Sequence, residues 1–169
     1  WKAGSKPHLY GLNRLSEART AGSVVLVEGE SDVHTFWHHG IPALGLPGAA
    51  NWREERDAQH LDGIATIYVV IEPDRGGEAV RQWLSQSVIR HRATLVTLPV
   101  KDASALHLES EADFTRRWQV ACLGAVPWTV HEDRESAEER SDAWNHCADL
   151  ARSPSILDAL DEELTRMGV

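Results

Sequence analysis

Cysteine is nearly missing from this sequence. Cys122 and Cys147 are its only two, too few for a disulfide framework and without the paired C-x-x-C spacing of a structural zinc site. Both read as free thiols. No stretch approaches the roughly 20 uninterrupted apolar residues that a membrane helix needs, and the N-terminus shows no basic-then-apolar signal pattern. The expectation is a soluble, cytoplasmic protein without a membrane partner. Two motifs are absent as well. There is no G-x-x-x-x-G-K-[ST] phosphate loop, so a P-loop ATPase is excluded from these residues. His34 and His38 lie four apart on an expected helix, but Thr35 stands where a zinc-binding H-E-x-x-H motif needs glutamate. With His39 beside them and no third ligand evident, a surface or half-buried structural role is expected for them.

An excess of positive charge is also lacking, since 17 Lys and Arg face 26 Asp and Glu for a net charge of −9. That balance argues at first against a nucleic-acid partner, because phosphate binding rests on cations. The distribution reverses the argument. Residues 131–169 hold eleven acids and four bases, whereas the preceding 130 residues hold fifteen acids and thirteen bases. If five of those fifteen bind metal, the remainder of the front section is mildly basic. Composition therefore leaves a nucleotide or DNA partner open.

The 169 residues, 42% of them hydrophobic, suffice for one domain with a single core and an appendage. Residues 1–22, with four bases against Glu17 alone and breaks at Gly4, Pro7 and Gly11, read as a basic connecting segment. A chain that begins at Trp1 rather than Met looks like an excised piece. Short Val- and Leu-rich runs at Ser23–Val27, Ile41–Leu46, Thr66–Ile71 and Ala93–Leu98 read as strands buried on both faces. Helices are expected at Asp32–His39, at Asn51–Leu61 with Asn51 as cap, and at Glu78–Arg90 with Val80, Trp83, Leu84 and Val88 inward. Two short helices follow over Ala103–Gly124, then a break at Val126–Thr129. Strands alternating with helices imply a mostly parallel four-stranded sheet covered on both faces, over residues 23–129. Trp37, Trp83 and Trp118 fall at core-facing positions and read as packing rather than base stacking. Residues 130–169 read as an acidic helical tail with an apolar stripe through Leu150, Ile156, Leu160 and Leu164.

In open α/β sheets, ligands sit beyond the carboxyl ends of the strands, and here three of four strands run into acids. Glu28, Glu30 and Asp32 follow the first, Glu72 and Asp74 the third, and Asp102 the fourth. Carboxylates gathered at one sheet edge raise one another's pKa unless a cation neutralises them. Hard oxygen ligands suit Mg²⁺ or Mn²⁺. Each acid taken alone is a plausible solvated cap or turn residue; the ordered set points to a metal site. Arg75-Gly76-Gly77 either touches phosphate or simply turns into a helix.

The Glu28-Gly29 pair after one strand, Glu72-Pro73-Asp74 with Gly76 and Gly77 after another, and Lys101-Asp102-Ala103 after the last resemble the Toprim domain, and the third element favours its DNA primase members. Leu9-Tyr10-Gly11, Leu98-Pro99-x-Lys101-Asp102-Ala103 and Ala125-x-Pro127-Trp128 are similar to phage and plasmid primase-helicases. The resemblance implies an α/β Toprim fold and a two-metal nucleotidyl transfer, as in RNA primer synthesis for a phage or mobile element. Glu28, Glu72, Asp74 and Asp102 would hold two Mg²⁺ or Mn²⁺ ions. Glu28 would also act as general base or acid, with Asp32, Lys101 and, behind them, Glu30 assisting. Gly29, Gly48, Arg75, Gly76 and Gly77 would lie close to phosphates. Implied partners are a single-stranded DNA template, nucleoside triphosphates, and a helicase or ATPase domain beyond the tail. The rival readings are a Toprim nuclease using the same acids, and a silent domain that only docks nucleic acid or a helicase.

The family pattern is Asp-x-Asp where this chain has Glu72-Pro73-Asp74, one methylene longer at the first ligand and stiffened by proline. No cysteine-rich zinc module is present, nor most of the basic subdomain that usually precedes a primase core.

Overall fold

The computed structural model describes residues 7–129. Its frame is a five-stranded sheet of order β2-β1-β3-β4-β5, built from β1 (Ser23–Val27), β2 (Ala43–Gly45), β3 (Thr66–Val70), β4 (Ala93–Val96) and β5 (Val126–Pro127). The first four strands are parallel and β5 is antiparallel to β4. The expected four strands and mostly parallel arrangement are found, and the segment read as a break supplies a fifth, two-residue edge strand. Proline suits such an edge because it has no N–H to give to a ladder.

The strand runs are apolar because both faces are covered, and successive residues go to opposite sides. Val24 and Leu26 of β1, Ile67 and Val69 of β3, and Ala93 and Leu95 of β4 join one core, completed by α1 (Leu15–Ala21), a 3-10 turn at Ala58–Leu61 and α4 (Arg75–Leu84). Val25, Val27, Val70 and Val96 join the other, with α2 (Glu30–His38), α5 (Ala103–Glu109) and α6 (Phe114–Leu123). In the second core the Phe36 ring meets Phe114 and Trp118 edge-on, at centroid distances of 5.5 and 4.7 Å.

Several expected boundaries move, each for a local reason. Leu9, Leu15 and Ala18 of the segment read as a connector are buried in the first core, and Tyr10 pairs with Gly45 of the edge strand β2. Residues 51–61 form only α3 (Glu54–Asp57) and the following 3-10 turn. Asn51 does not cap α3. Its side-chain amide donates to the Pro47 carbonyl, while buried Asp57 accepts from the Arg53 amide at 2.9 Å and from the Arg56 guanidinium. Helix α4 begins at Arg75 rather than Glu78, because Asp74 caps it, and ends at Leu84. The chain then turns at buried Ser87 into a 3-10 segment, Val88–Arg92, which leaves Val88 63% exposed rather than inward. Trp118 is buried as expected, whereas Trp37 and Trp83 are half-buried; Trp37 donates to the Ala43 carbonyl and Trp83 stacks on Trp52. No helix among the described residues is long and apolar enough to cross a membrane. The expected helical tail, 130–169, lies outside the described residues.

Truncating Phe36 to alanine removes a fully buried ring and should lower unfolding free energy by about 3–5 kcal/mol, whereas Val88→Ser should stay within about 0.5 kcal/mol. Urea denaturation of both variants checks the contrast, and a large loss at Val88 would contradict the observed end of α4.

Candidate active site at the carboxyl edge of the sheet

Because β1 and β3 are parallel neighbours, the residues that follow them emerge side by side. Glu28 leaves β1 half-buried, and Glu72, two residues past β3, is half-buried beside it. Burial is the largest cause raising the pKa of Glu28, followed by the charge of Asp74, with Lys101 opposing and Asp32 adding a little. Glu72 goes further. Burial first, then Glu28 and Asp74, push it up to about 7 against an ordinary 4.5. Glu28, Glu72, Asp74, Asp32 and Lys101 thus share one electrostatic neighbourhood.

Glu28 has a second unusual property: its Oε1 is buried and has no hydrogen-bond partner. Leaving such an oxygen unsatisfied costs stability unless something positive meets it. An orphaned carboxylate oxygen amid mutually repelling acids is the donor chemistry that a hard divalent cation neutralises, so the residues present fit Mg²⁺ or Mn²⁺. Among the described residues, no three acid, imidazole or thiol side chains already converge on one point. Glu72 and Asp74 stand at a cleft rather than in a finished ligand shell. That cleft, about 290 Å³, is lined by Glu72, Pro73, Asp74 and Gly77 together with Glu78, Arg81 and Thr97.

Asp74 is exposed, and its Oδ1 accepts from the amides of Gly76 at 2.8 Å and Gly77 at 3.3 Å, so this acid also starts α4. The two glycines have a steric task. A Cβ on Gly76 would stand 2.5 and 2.7 Å from the Glu28 carboxylate oxygens, and one on Gly77 would collide with the Glu72 carbonyl. At Gly77 the obstacle is backbone, so no side chain fits, whereas at Gly76 an added methyl would push the Glu28 carboxylate aside. Arg75, exposed, is the first residue of that turn.

Asp32 is 4% exposed and reaches away from its own helix, accepting from the Ser104 amide at 2.8 Å and its hydroxyl at 2.7 Å. It ties α2 to the start of α5. Gly29 lies against it, since a Cβ there would meet Asp32 Oδ2 at 2.7 Å. Asp102 caps α5 through the Ala105 amide at 2.7 Å, and its other oxygen stands 3.8 Å from Lys101 Nζ. Of the predicted residues only Glu72, Asp74 and Gly77 line the cleft itself, and Glu30 and Gly48 lie in other settings. Glu30, exposed, lines a separate cavity with residues 8–13, and Gly48 sits in a turn past β2 at φ 102°, closed by the Asn51 amide bonding to its carbonyl at 2.8 Å.

Sequence reasoning missed Ser104, Arg81 and Thr97. Arg81 sits two turns into α4, where periodicity alone reads it as a solvated position, and Ser104 becomes informative only when β4 and α5 carry it to Asp32.

No protein-family model and no curated protein matches the chain. Solved structures do. The RNA polymerase domain of Mycobacterium tuberculosis primase DnaG superposes with a TM-score of 0.62 at 17% identity, covering 95% of this chain and 57% of that one. The fold is that of primase catalytic domains. A DNA primase domain from Pseudomonas aeruginosa matches at TM-score 0.60 and 24% identity, over 82% of this chain and 45% of its own. The DnaG catalytic core matches at 0.53 and 22%, over 76% and 43%. The chain thus spans little more than half of the mycobacterial domain.

Two outcomes follow from the cleft. Without metal, folded Glu72 keeps its proton up to about pH 7 whereas the unfolded chain releases it near 4.5. The folded state binds more protons within that window, so stability falls as pH rises through it. Glu72→Gln should therefore raise the melting temperature in EDTA at pH 8 and flatten its decline between pH 5 and 8. Gly76→Ala should lower divalent-ion affinity, measured by calorimetry with Mn²⁺, even though alanine favours a helix by about 1 kcal/mol over glycine; unchanged Mn²⁺ affinity would refute the steric account of that glycine.

Proposed function

We propose that this domain carries out metal-dependent nucleotidyl transfer of the DNA primase type. A ribonucleotide 3′-hydroxyl, aligned on a single-stranded DNA template, attacks the α-phosphate of an incoming nucleoside triphosphate, and pyrophosphate leaves. The observation that carries the reading is the pairing of Glu28 and Glu72 at adjacent parallel strand ends, with one Glu28 oxygen buried and unpartnered. The primase fold of the neighbours supports it, and the mycobacterial domain has also been solved in complex with double-stranded DNA.

The roles follow from the chemistry of each group. Glu72, Asp74, Asp102 and one oxygen of Glu28 would hold one or two Mg²⁺ or Mn²⁺ ions, which when bound neutralise phosphate charge and align attacking and leaving oxygens. Glu28, whose pKa is raised by burial and by the charge of Asp74, would take the proton from the 3′-hydroxyl as general base. Lys101 and Arg75 would steady phosphate oxygens at the rim. Gly29, Gly76 and Gly77 would let backbone come near them. Asp32 holds the start of α5 against the Glu28 loop. In the parent protein a helicase or ATPase domain of a phage-like replication system would follow the acidic tail.

The test uses the 169-residue chain with a labelled single-stranded template, the four ribonucleoside triphosphates and Mn²⁺. Extended RNA products are expected, lost in EDTA and reduced about a hundredfold or more in Glu28→Gln. Cleavage of the DNA without nucleotide incorporation would replace this reading with a nuclease. Absence of any Mn²⁺-induced thermal stabilisation would remove the metal site itself.

A further inference from the structure

The acid cleft has a neighbour of opposite character. Past β4 the chain runs through Thr97, Leu98 and Pro99, and a second cavity of about 460 Å³ lies between these residues and α6. Thr97 lines both cavities. Where the first is walled by Glu72, Asp74, Glu78 and Arg81, the second is walled by Leu98, Pro99, Val120 and Ala121. Arg116 and Arg117 also line it, but each is held by an acid, Arg116 by Asp113 at 3.0 Å and Arg117 by Glu109 at 2.6 Å. The groove is therefore close to neutral, and what distinguishes it is apolar surface turned to solvent, with Val120 57% exposed.

A ligand that spans two such cavities has a polyanionic, cation-bearing end and a flat, weakly polar end. We propose that the groove between Thr97–Pro99 and α6 is the subsite for the base and ribose of the nucleoside triphosphate whose phosphates occupy the Glu72–Asp74 cleft. This rests on the metal-dependent transfer proposed above. The volume lies within the roughly 300–1,000 Å³ of small-ligand sites, which are mostly apolar with a few polar groups. The Arg116 guanidinium, 69% exposed in its side chain, offers a planar cation that can lie on a base face. Leu98, Pro99, Val120 and Ala121 present no side-chain donor or acceptor with which to tell one base edge from another. With Arg116 and Arg117 already engaged by Asp113 and Glu109, and Thr97 shared with the phosphate cleft, the subsite accepts all four bases, leaving selection to the template.

Calorimetric titration of the 169-residue chain with Mg²⁺–ATP and with Mg²⁺–tripolyphosphate tests this, because the second ligand lacks base and ribose. ATP should bind tighter, and ATP, CTP, GTP and UTP should agree within about threefold, since little in the groove can separate them. The doubly substituted Val120→Gln, Arg116→Ala protein, altered only at exposed positions, should bind ATP about tenfold more weakly through lost apolar and stacking contact. Its tripolyphosphate affinity should not change. Equal weakening of both ligands would mean that Arg116 meets phosphate, and ATP binding no tighter than tripolyphosphate would mean that the groove holds no base; either overturns the proposal. A change of self-association in the variant, seen by ultracentrifugation with ATP affinity intact, would assign the groove to a protein contact and overturn it as well. Mn²⁺ stabilisation that persists while the groove proposal fails leaves the metal reading standing, and its absence removes both.

Discussion

Like charges held together at the rim of an apolar sheet set the terms for the rest of this molecule. Parallel strands deliver their following residues to one edge, so placing acids after β1 and β3 forces Glu28 and Glu72 into each other's field. Partial burial makes that field stronger, because less water screens it. An arrangement of this kind is unfavourable in isolation and is tolerated because two apolar cores, one on each sheet face, hold the strands regardless. A cation bound there would relieve the repulsion.

The structure around the acids is arranged to permit that closeness rather than to relieve it. The glycines that open α4 leave room for the Glu28 carboxylate and the Glu72 carbonyl. Asp74 and Asp102 each begin a helix, so the same side chains that bring negative charge to the edge also satisfy backbone amides there. Asp32 is drawn off by Ser104 and becomes a strut between α2 and α5. Acids with similar standing in the sequence thus divide into a repelling pair, two caps and a brace.

Much of the fold was legible in advance because apolar runs of four to six residues bounded by Gly and Pro have few uses other than buried strands. Positions with weaker local signals moved. Val88 shows helical spacing after Leu84, yet the turn at Ser87 ends the helix and exposes it. Asn51 has the chemistry of a cap but bonds to the Pro47 carbonyl in the Gly48 turn, because α3 starts three residues later and uses Asp57. Val126–Pro127 is too short to carry any periodicity, and only the open edge of β4 makes it a strand. The N-terminal segment looked like a connector because its charge and glycines are conspicuous, whereas its core contribution rests on a few scattered residues, Leu9, Leu15 and Ala18 with Leu12 and Tyr10 packed against the cores.

What the amino-acid order determined by itself was the alternation of strands and helices, the side of the sheet on which the acids emerge, and the kinds of ligand that carboxylates at that edge suit. Those follow from local patterning and from the geometry of parallel strands. Tertiary structure decided which acids meet, that Gly76 is a space for Glu28, that Ser104 engages Asp32, and that an apolar groove adjoins the acid cleft at Thr97. The physical reason is distance. Burial, repulsion and steric room depend on groups 44 to 72 residues apart in sequence, as Glu28 and Glu72 or Asp32 and Ser104 are, and such separations leave no mark in a local pattern.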